Sequence, residues 1–194
     1  DYRRFLAGIE ETLRARGVAD AEPLLAALAR GLGRLMAYKD EYEVARLYSE
    51  PAFRSGLADA FAGSPKLKVH LAPPLLAWRK DHKTGRPRKI AFGAWIFPAF
   101  RLLAKLKGLR GTLLDPFGHT AERRMERALI GEYRALAETV AARVTPESMA
   151  TAVELAAAAD LVAGYGPVKE AGVAAYRARV AVLLPRLSAV SSAA

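Results

Sequence analysis

The sequence predicts a mainly α-helical fold with a small β-hairpin or extended insert around residues 66–95. Apolar residues recur at steps of three and four along most of the 194 residues, which is the spacing of amphipathic helices. Residues 66–71 instead alternate polar and apolar side chains, as a half-buried strand does. Charge marks the same stretch, because residues 66–110 hold twelve Lys/Arg and one acid, Asp81, in a chain of formal net charge +10. One basic insert therefore interrupts an otherwise balanced chain.

Apolar spacing and end signals predict the first two helices. One face of the first helix is apolar: Leu6, Ile9 and Leu13. Gly17 ends that pattern, and Asp20 is expected to cap a second helix that runs through Met36. Gly31 and Gly33 inside the second helix indicate close helix contact, because a dinucleotide-binding motif would need a preceding strand and a third glycine.

The basic insert is predicted to contain the only extended structure. Two short helices, at about 40–48 and 51–61, precede it. The strand at 66–71 can pair with residues 89–92 after an exposed basic loop at 80–87. The pair would form a small hairpin that carries most of the positive charge.

Helical spacing returns at Pro98 and ends at Gly108. The residues expected to face the core are Ala99, Leu102, Leu103 and Leu106. Arg101 and Lys105 are expected on the solvent side, which would extend the basic surface from the hairpin onto a helix.

The next segment has the clearest helical pattern and predicts a long helix. Residues 115–118 have the composition of a turn, and Thr120 can cap the helix that follows. Its apolar stripe is Met125, Leu129, Tyr133, Leu136, Val140 and Val144. Thr145-Pro146 then places a capping hydroxyl before a proline at the first helical position, which predicts another helix to about Val162.

Gly164 and Gly166 separate that helix from the last one, which is predicted to begin at Val168 and has Pro185 as a candidate kink. The inward face of the last helix is expected to be Val173, Tyr176, Val180, Leu183 and Leu187. We expect residues 191–194 to fray and residues 1–194 to form a single domain.

Composition excludes several kinds of chemistry. The chain has no cysteine, so it holds no disulfide, no thiolate zinc site and no cysteine-bound iron–sulfur cluster. Three isolated histidines lack the spacing of metal ligands and are expected in a hairpin, a loop and a turn: His70, His82 and His119. Glu122, Glu126 and Asp160 could serve acid–base chemistry only if burial or a charge partner shifted their pKa values, and both glutamates are expected to be solvated.

The distribution of apolar residues predicts no membrane span. The longest apolar run, residues 90–100, is shorter than the about 20 residues that cross a bilayer. The start of the chain has neither an initiator Met nor the pattern of a signal peptide, so we expect part of a longer, cytoplasmic protein.

Cations around the 80–87 loop are the candidate site residues. They are Arg79, Lys80, Lys83, Arg86, Arg88 and Lys89. A cluster of this kind suits an anionic partner, although a solvated turn without a partner would have the same composition. Nucleic-acid binding is an alternative function, because Trp78 and Trp95 near basic side chains suit single strands.

Four runs of sequence are long and unusual enough to indicate a family: residues 36–48, 66–76, 98–112 and 115–118. Over about residues 38–177 the chain resembles the C-terminal region of bacterial indolepyruvate ferredoxin oxidoreductases of the long, fused type. The resemblance implies a parent enzyme that uses thiamine diphosphate to decarboxylate aryl 2-oxoacids oxidatively to acyl-CoA. Electrons would pass through iron–sulfur clusters to ferredoxin.

None of that machinery maps onto these residues, because the thiamine-diphosphate motif and the cysteines are missing. The resemblance therefore implies a C-terminal accessory domain with no catalytic, cofactor-binding or metal-binding residue of its own. Its partners would be the remaining domains of the parent oxidoreductase and ferredoxin or another acidic carrier protein. The competing hypothesis is an independent basic helical domain that binds nucleic acid.

Overall fold

Helices dominate the structure, a computed structural model that describes residues 1–38, 40–61, 63, 66–71 and 88–191. In chain order the elements are α1 (Tyr2–Ala15), α2 (Glu22–Met36), α3 (Glu41–Ser49), α4 (Pro51–Ala60), β1 (Val69–Leu71), β2 (Ile90–Phe92), α5 (Ile96–Lys105), α6 (Ala121–Arg143), α7 (Met149–Ala157) and α8 (Pro167–Ser191). The predicted mainly α fold with a small hairpin is confirmed. Among the helices in these described ranges, none has the length and apolar character needed to cross a membrane.

The chain divides into two compact units. Unit 1 comprises residues 1–38 and 125–194, and unit 2 is the contiguous segment 39–124. The basic insert, residues 66–110, lies entirely within unit 2. The single domain expected over 1–194 stays a prediction.

Unit 1 buries the apolar stripes of five helices in one core. The stripe predicted for α6 is confirmed, with Met125 partly buried and the others buried: Leu129, Tyr133, Leu136, Val140 and Val144. The inward face predicted for α8 is confirmed in the same way, with Val180 partly buried and the others buried: Val173, Tyr176, Leu183 and Leu187. These faces meet the buried leucines of α2, such as Leu28 and Leu32.

A close helix contact in this core depends on Gly31. Tyr133 is fully buried, and its Oη donates a 2.8 Å hydrogen bond to the carbonyl oxygen of Ala156. A Cβ on Gly31 would collide with the hydroxyl of Tyr133, so only glycine leaves room for the tyrosine. The predicted role is confirmed for Gly31 but not for Gly33, where a Cβ would make only an ordinary contact at 3.8 Å with Tyr2.

The start of α2 differs from the prediction. Ala21, not Asp20, precedes the helix, and no side chain caps it. Asp20 has a φ of +52° and belongs to the turn that follows α1. Aspartate tolerates this left-handed conformation better than most residues, so Asp20 serves the turn and not the helix.

The start of α7 also differs from the prediction. The helix begins at Met149, because residues 145–148 form a separate turn. In that turn Thr145 Oγ1 accepts a 3.3 Å hydrogen bond from the backbone N–H of Ser148. The backbone N–H of Thr145 in turn donates to Ser148 Oγ at 2.9 Å. The threonine therefore stabilises the turn before the helix, as an ST-type motif does.

Unit 2 has a smaller core that is rich in aromatic side chains. Its buried residues are Ala45, Val69, Ile96, Phe97 and Phe100. Tyr48 of α3 stacks on Phe100 of α5 with ring centroids 5.4 Å apart, and its edge meets Phe53 of α4 at 5.0 Å. Asp40 caps α3, because its Oδ1 accepts a 3.0 Å hydrogen bond from the backbone N–H of Tyr42.

The buried face of α5 is not the predicted one. Ala99, Leu102 and Leu106 were expected in the core but are exposed, and only Leu103 is half-buried. The buried side chains are Ile96, Phe97 and Phe100. This short helix has apolar residues on two sides, and the aromatic side wins because it removes more apolar area from water.

Candidate functional site

The hairpin presents a polar, basic outer face. Strands β1 and β2 are antiparallel, and His70 lies opposite Ala91. Since side chains alternate across a strand, Lys68, His70 and Lys89 project on the side away from the core, and all three are exposed. The opposite face carries the apolar residues that pack on the unit 2 core: Val69, Leu71 and Phe92.

Exposed cations of the basic insert have no acidic partner among the residues that the structure describes. They are Lys66, Lys68, Arg88, Lys89, Arg101 and Lys105. We call these six residues the basic surface. Arg88 and Lys89 belong to the predicted site, whereas the other four predicted residues lie outside the described ranges: Arg79, Lys80, Lys83 and Arg86.

Two other cations of the insert are neutralised within unit 2, which the sequence did not indicate. Arg110 Nη1 lies 2.9 Å from Asp40 Oδ2, and Lys107 Nζ lies 3.4 Å from Glu43 Oε2. The hydrogen bond from Arg46, aided by that from Lys107, lowers the pKa of Glu43 to about 2. Asp40 and Glu43, which lie just before and within α3, therefore pair with cations at the C-terminal end of the basic insert.

A buried carboxylate organises the turn at residues 111–118. Asp115 is 4% exposed, and its side chain accepts hydrogen bonds from the backbone N–H of Gly111 at 2.9 Å and of Phe117 at 3.1 Å. It also accepts from the hydroxyl of Tyr42 at 3.1 Å. Burial opposes ionisation of Asp115, but the hydrogen bonds outweigh it and lower its pKa. Burial and the bond to Asp115 raise the pKa of Tyr42 to about 12.

This carboxylate has a structural role. Its acceptor positions are occupied by groups of the chain, and a Cβ on Gly118 would lie 2.7 Å from its Oδ2. A general base needs a free lone pair within reach of a substrate proton. Asp115 instead fixes the turn, and that turn displays Leu113 and Leu114, which are 91% and 74% exposed.

Unit 1 holds a buried ion pair that sequence reasoning missed. Glu126 was expected to be solvated, but it is 2% exposed and accepts a 2.5 Å hydrogen bond from Lys169 Nζ. The partner lies 43 residues away on α8, so no local pattern could indicate it. Asp160 pairs at the surface with Arg34 at 3.1 Å, and Glu122 is half-buried.

The histidines do not assemble into a site among the described residues. His70 is exposed on β1, and a ring nitrogen of the exposed His119 lies 3.1 Å from the carbonyl oxygen of Leu113. His82 falls in the part of the chain that the structure does not describe. Within the described residues, no three His, Cys, Asp or Glu side chains are grouped closely enough to hold a metal ion.

Comparison with known proteins identifies a family without assigning an activity. The model of a family of unknown function, DUF6537, matches residues 1–182. The chain therefore belongs to this family. No curated protein and no solved structure matches it.

Proposed function

We propose that this member of the DUF6537 family is the C-terminal accessory domain of a thiamine-diphosphate-dependent indolepyruvate (2-oxoacid):ferredoxin oxidoreductase. In this proposal the chain supplies no catalytic residue. Its basic surface docks an acidic protein, either another domain of the parent enzyme or a carrier such as ferredoxin. The resemblance of residues 36–48, 66–76, 98–112 and 115–118 to that family supports the parent enzyme.

The observation that carries the docking role is the unequal use of charge in unit 2. The acids at positions 40, 41 and 43 pair with Arg110, Arg123 and Lys107. The basic surface has no such partner among the described residues. Like charges that face water repel one another, and an acidic partner would remove that cost.

A redox carrier is a suitable partner for a surface of this kind. Exposed cations steer an acidic protein over distances of about one Debye length, roughly 10 Å at 0.1 M salt. Steering raises the association rate more than the final affinity, which suits a carrier that must also leave.

Nucleic-acid binding is the second candidate, and one observation favours it. Trp95 is 66% exposed and contacts Phe92 of β2 edge to face, so an exposed ring lies within the basic insert. An exposed aromatic ring can stack on an unpaired base.

Charge reversal in the full-length enzyme tests the docking role. The variant Arg88→Glu/Lys89→Glu is expected to slow reduction of the carrier at low salt and to reduce the salt dependence of association. Oxidative decarboxylation with an artificial acceptor should persist. The control, Arg4→Glu/Arg186→Glu, makes the same charge change at exposed positions of unit 1. Equal carrier reduction by wild type and the Arg88/Lys89 variant would refute docking through this surface.

The assignment to an oxidoreductase has its own tests. The reading frame that encodes this chain should also encode cysteine clusters and a thiamine-diphosphate motif. The isolated chain should show no turnover with indolepyruvate, coenzyme A, thiamine diphosphate and an artificial acceptor. Tight, sequence-selective binding of DNA or RNA near physiological salt would favour the second candidate, whereas weak binding that falls steeply with salt would not.

A further inference from the structure

Helix α5 carries a second apolar face that the described residues of unit 2 leave largely exposed. Trp95 directly precedes α5, Ala99 and Leu102 lie within it, and Leu106 directly follows it; their steps of four, three and four place them along one side of the helix. The three large side chains are 66%, 61% and 40% exposed. We call these four residues the outer face of α5.

Folding of unit 2 does not require this outer face. The opposite side of α5 already packs in the core through Ile96, Phe97 and Phe100. Phe97 and Phe100 meet edge to face at 6.1 Å, and Phe100 also stacks on Tyr48. The helix is thus held firmly from one side, while its other side leaves Leu102 and its neighbours in water at a cost in free energy.

The charges beside the outer face restrict what can cover it. Arg101 and Lys105 are exposed on α5 and have no acidic partner among the described residues. A second copy of the chain would bring the same two cations against them, and like charges across an interface are unfavourable. The complementary occupant is therefore apolar along its centre and acidic at its edge.

We propose that the outer face of α5 binds an amphipathic helix that lies outside residues 1–194. That helix has apolar residues at steps of three and four and acidic residues beside them. From Trp95 to Leu106 the stripe rises about 16 Å, which matches three turns of a partner helix. Anchors spaced in this way are how helices dock along an apolar surface. The acids would pair with Arg101 and Lys105.

The width of the apolar stripe favours a partner helix over a membrane surface as the occupant. A helix that lies in a bilayer interface has a broad apolar band with many cations along its polar side. Here three large apolar side chains form a narrow stripe, and the reverse side of the same helix is occupied by the core of unit 2. Arg101 and Lys105 also belong to the basic surface, but the apolar stripe itself is argued from α5 alone and does not rest on the proposed oxidoreductase.

Site-specific photo-crosslinking tests the proposal in cells that produce the full protein naturally. A benzophenone side chain is placed at Leu102 and, as the control, at Val182, which is 51% exposed on α8 of unit 1. We expect a crosslinked peptide, identified by mass spectrometry, from position 102 but not from position 182. Its sequence should have the apolar spacing and the negative charge described above.

The identified peptide is then synthesised and titrated against purified variants. Leu102→Asp should weaken its binding by about tenfold or more, because it places a carboxylate at the centre of the interface. Arg101→Glu/Lys105→Glu should weaken binding most at low salt, and Val182→Asp should change it less than twofold. Because all four substituted side chains are exposed, we expect the variants to keep the fold, and circular dichroism of each variant checks this.

Several results would overturn the proposal. They are equal labelling at both positions, a crosslink to a second copy of the chain, and a crosslink to nucleic acid or lipid. Binding to vesicles of phosphatidylglycerol and phosphatidylcholine that Leu102→Asp abolishes would show a membrane surface as the occupant instead. A crosslinked peptide whose affinity is unchanged by Leu102→Asp would also overturn it.

Discussion

The two units of the molecule use their charged and apolar residues in different ways. Unit 1 has 13 Lys/Arg and 12 Asp/Glu, and unit 2 has 17 and 8. Both units expose some large apolar side chains, such as Tyr165 in unit 1, but unit 2 exposes more of them, including Leu113, Leu114 and the outer face of α5. In unit 1 the corresponding stripes of α6 and α8 are buried.

In the proposed function, unit 1 mainly supplies stability and unit 2 contacts the partner. Unit 1 buries even charged side chains, because Glu126 and Lys169 form an ion pair away from solvent. Unit 2 pairs its acids near α3 with cations and buries Asp115, whereas the six cations of the basic surface are exposed. Substitutions should therefore change stability in unit 1 and association in unit 2.

The largest effect is expected at the buried pair. Lys169→Met removes the cation beside the Glu126 carboxylate, and breaking one partner of a buried pair costs about 3–5 kcal/mol. Arg177→Met is the matched control, because Arg177 Nη2 and Glu132 Oε1 form a 2.7 Å pair whose side chains are 53% and 41% exposed. Such an exposed pair contributes about 0–1 kcal/mol.

Urea denaturation of both variants measures the difference. Equal losses of unfolding free energy would show that burial does not distinguish the two pairs. The double variant Lys169→Met/Glu126→Leu should recover part of the loss, because it also removes the buried carboxylate.

Shortening a buried side chain should have the next largest effect on the free energy of unfolding. Leu129→Ala in α6 should destabilise the protein by about 2–5 kcal/mol, because Leu129 is 1% exposed and its loss leaves a cavity. Leu114→Ala in unit 2 should change the unfolding free energy by about 0.5 kcal/mol or less, since that side chain is mostly in water. Thermal and urea unfolding check both, and a negligible effect of Leu129→Ala would place this face outside the core.

The loss of stability at low pH should depend on Asp115. Because hydrogen bonding lowers its pKa in the folded state, Asp115 contributes stability that is complete above the ordinary aspartate pKa of about 3.9. That contribution is lost as the pH falls through the lower pKa of the folded protein. Asp115→Asn should reduce stability at pH 7 and flatten the decline below about pH 4.

Denaturant midpoints at a series of pH values between 2 and 7 test this. An unchanged acid profile in Asp115→Asn would show that other carboxylates, such as Glu43, dominate the decline. Glu132→Gln, which removes an exposed carboxylate of unit 1, is the control.

The smallest effect on stability is expected at the basic surface. Arg88→Glu/Lys89→Glu should change the unfolding free energy by about 0.5 kcal/mol or less, because both side chains are exposed and neither has an acidic partner among the described residues. Stabilisation by more than that would show that mutual repulsion of the cations weakens unit 2. A clear loss of stability would assign these cations to the fold of unit 2.

Periodic patterns predicted the helices of unit 1 because each has one apolar side. The stripe of α6 at steps of three and four could face only inward, and the structure has it there. Alternation at 66–71 predicted β1 for the same reason, since one face of the strand is polar.

The predicted burial was wrong where a helix has apolar residues on two sides. It was also wrong where the contacting residue lies far away in the sequence. Helix α5 has apolar residues on both sides, and spacing alone cannot tell which side meets Tyr48 of α3. Glu126 has the appearance of a surface residue near a helix start, and only the approach of Lys169 from α8 accounts for its burial. Of the candidate site residues, Arg88 and Lys89 are exposed, and the docking role of the site stays a prediction.

The division of unit 1 into two stretches of sequence sets the order in which the protein is synthesised and folded. The 86 residues of unit 2 are synthesised between Tyr38 and the first residue of the second stretch, Met125. At about 5–20 residues per second this takes roughly 4–17 s, so Leu28 and Leu32 wait at least that long for their partners on α6, α7 and α8. Unit 2, which is contiguous, can complete its core before the second stretch of unit 1 is finished. We therefore expect the apolar stripe of α2 to remain unburied in the nascent chain until α6, α7 and α8 are synthesised.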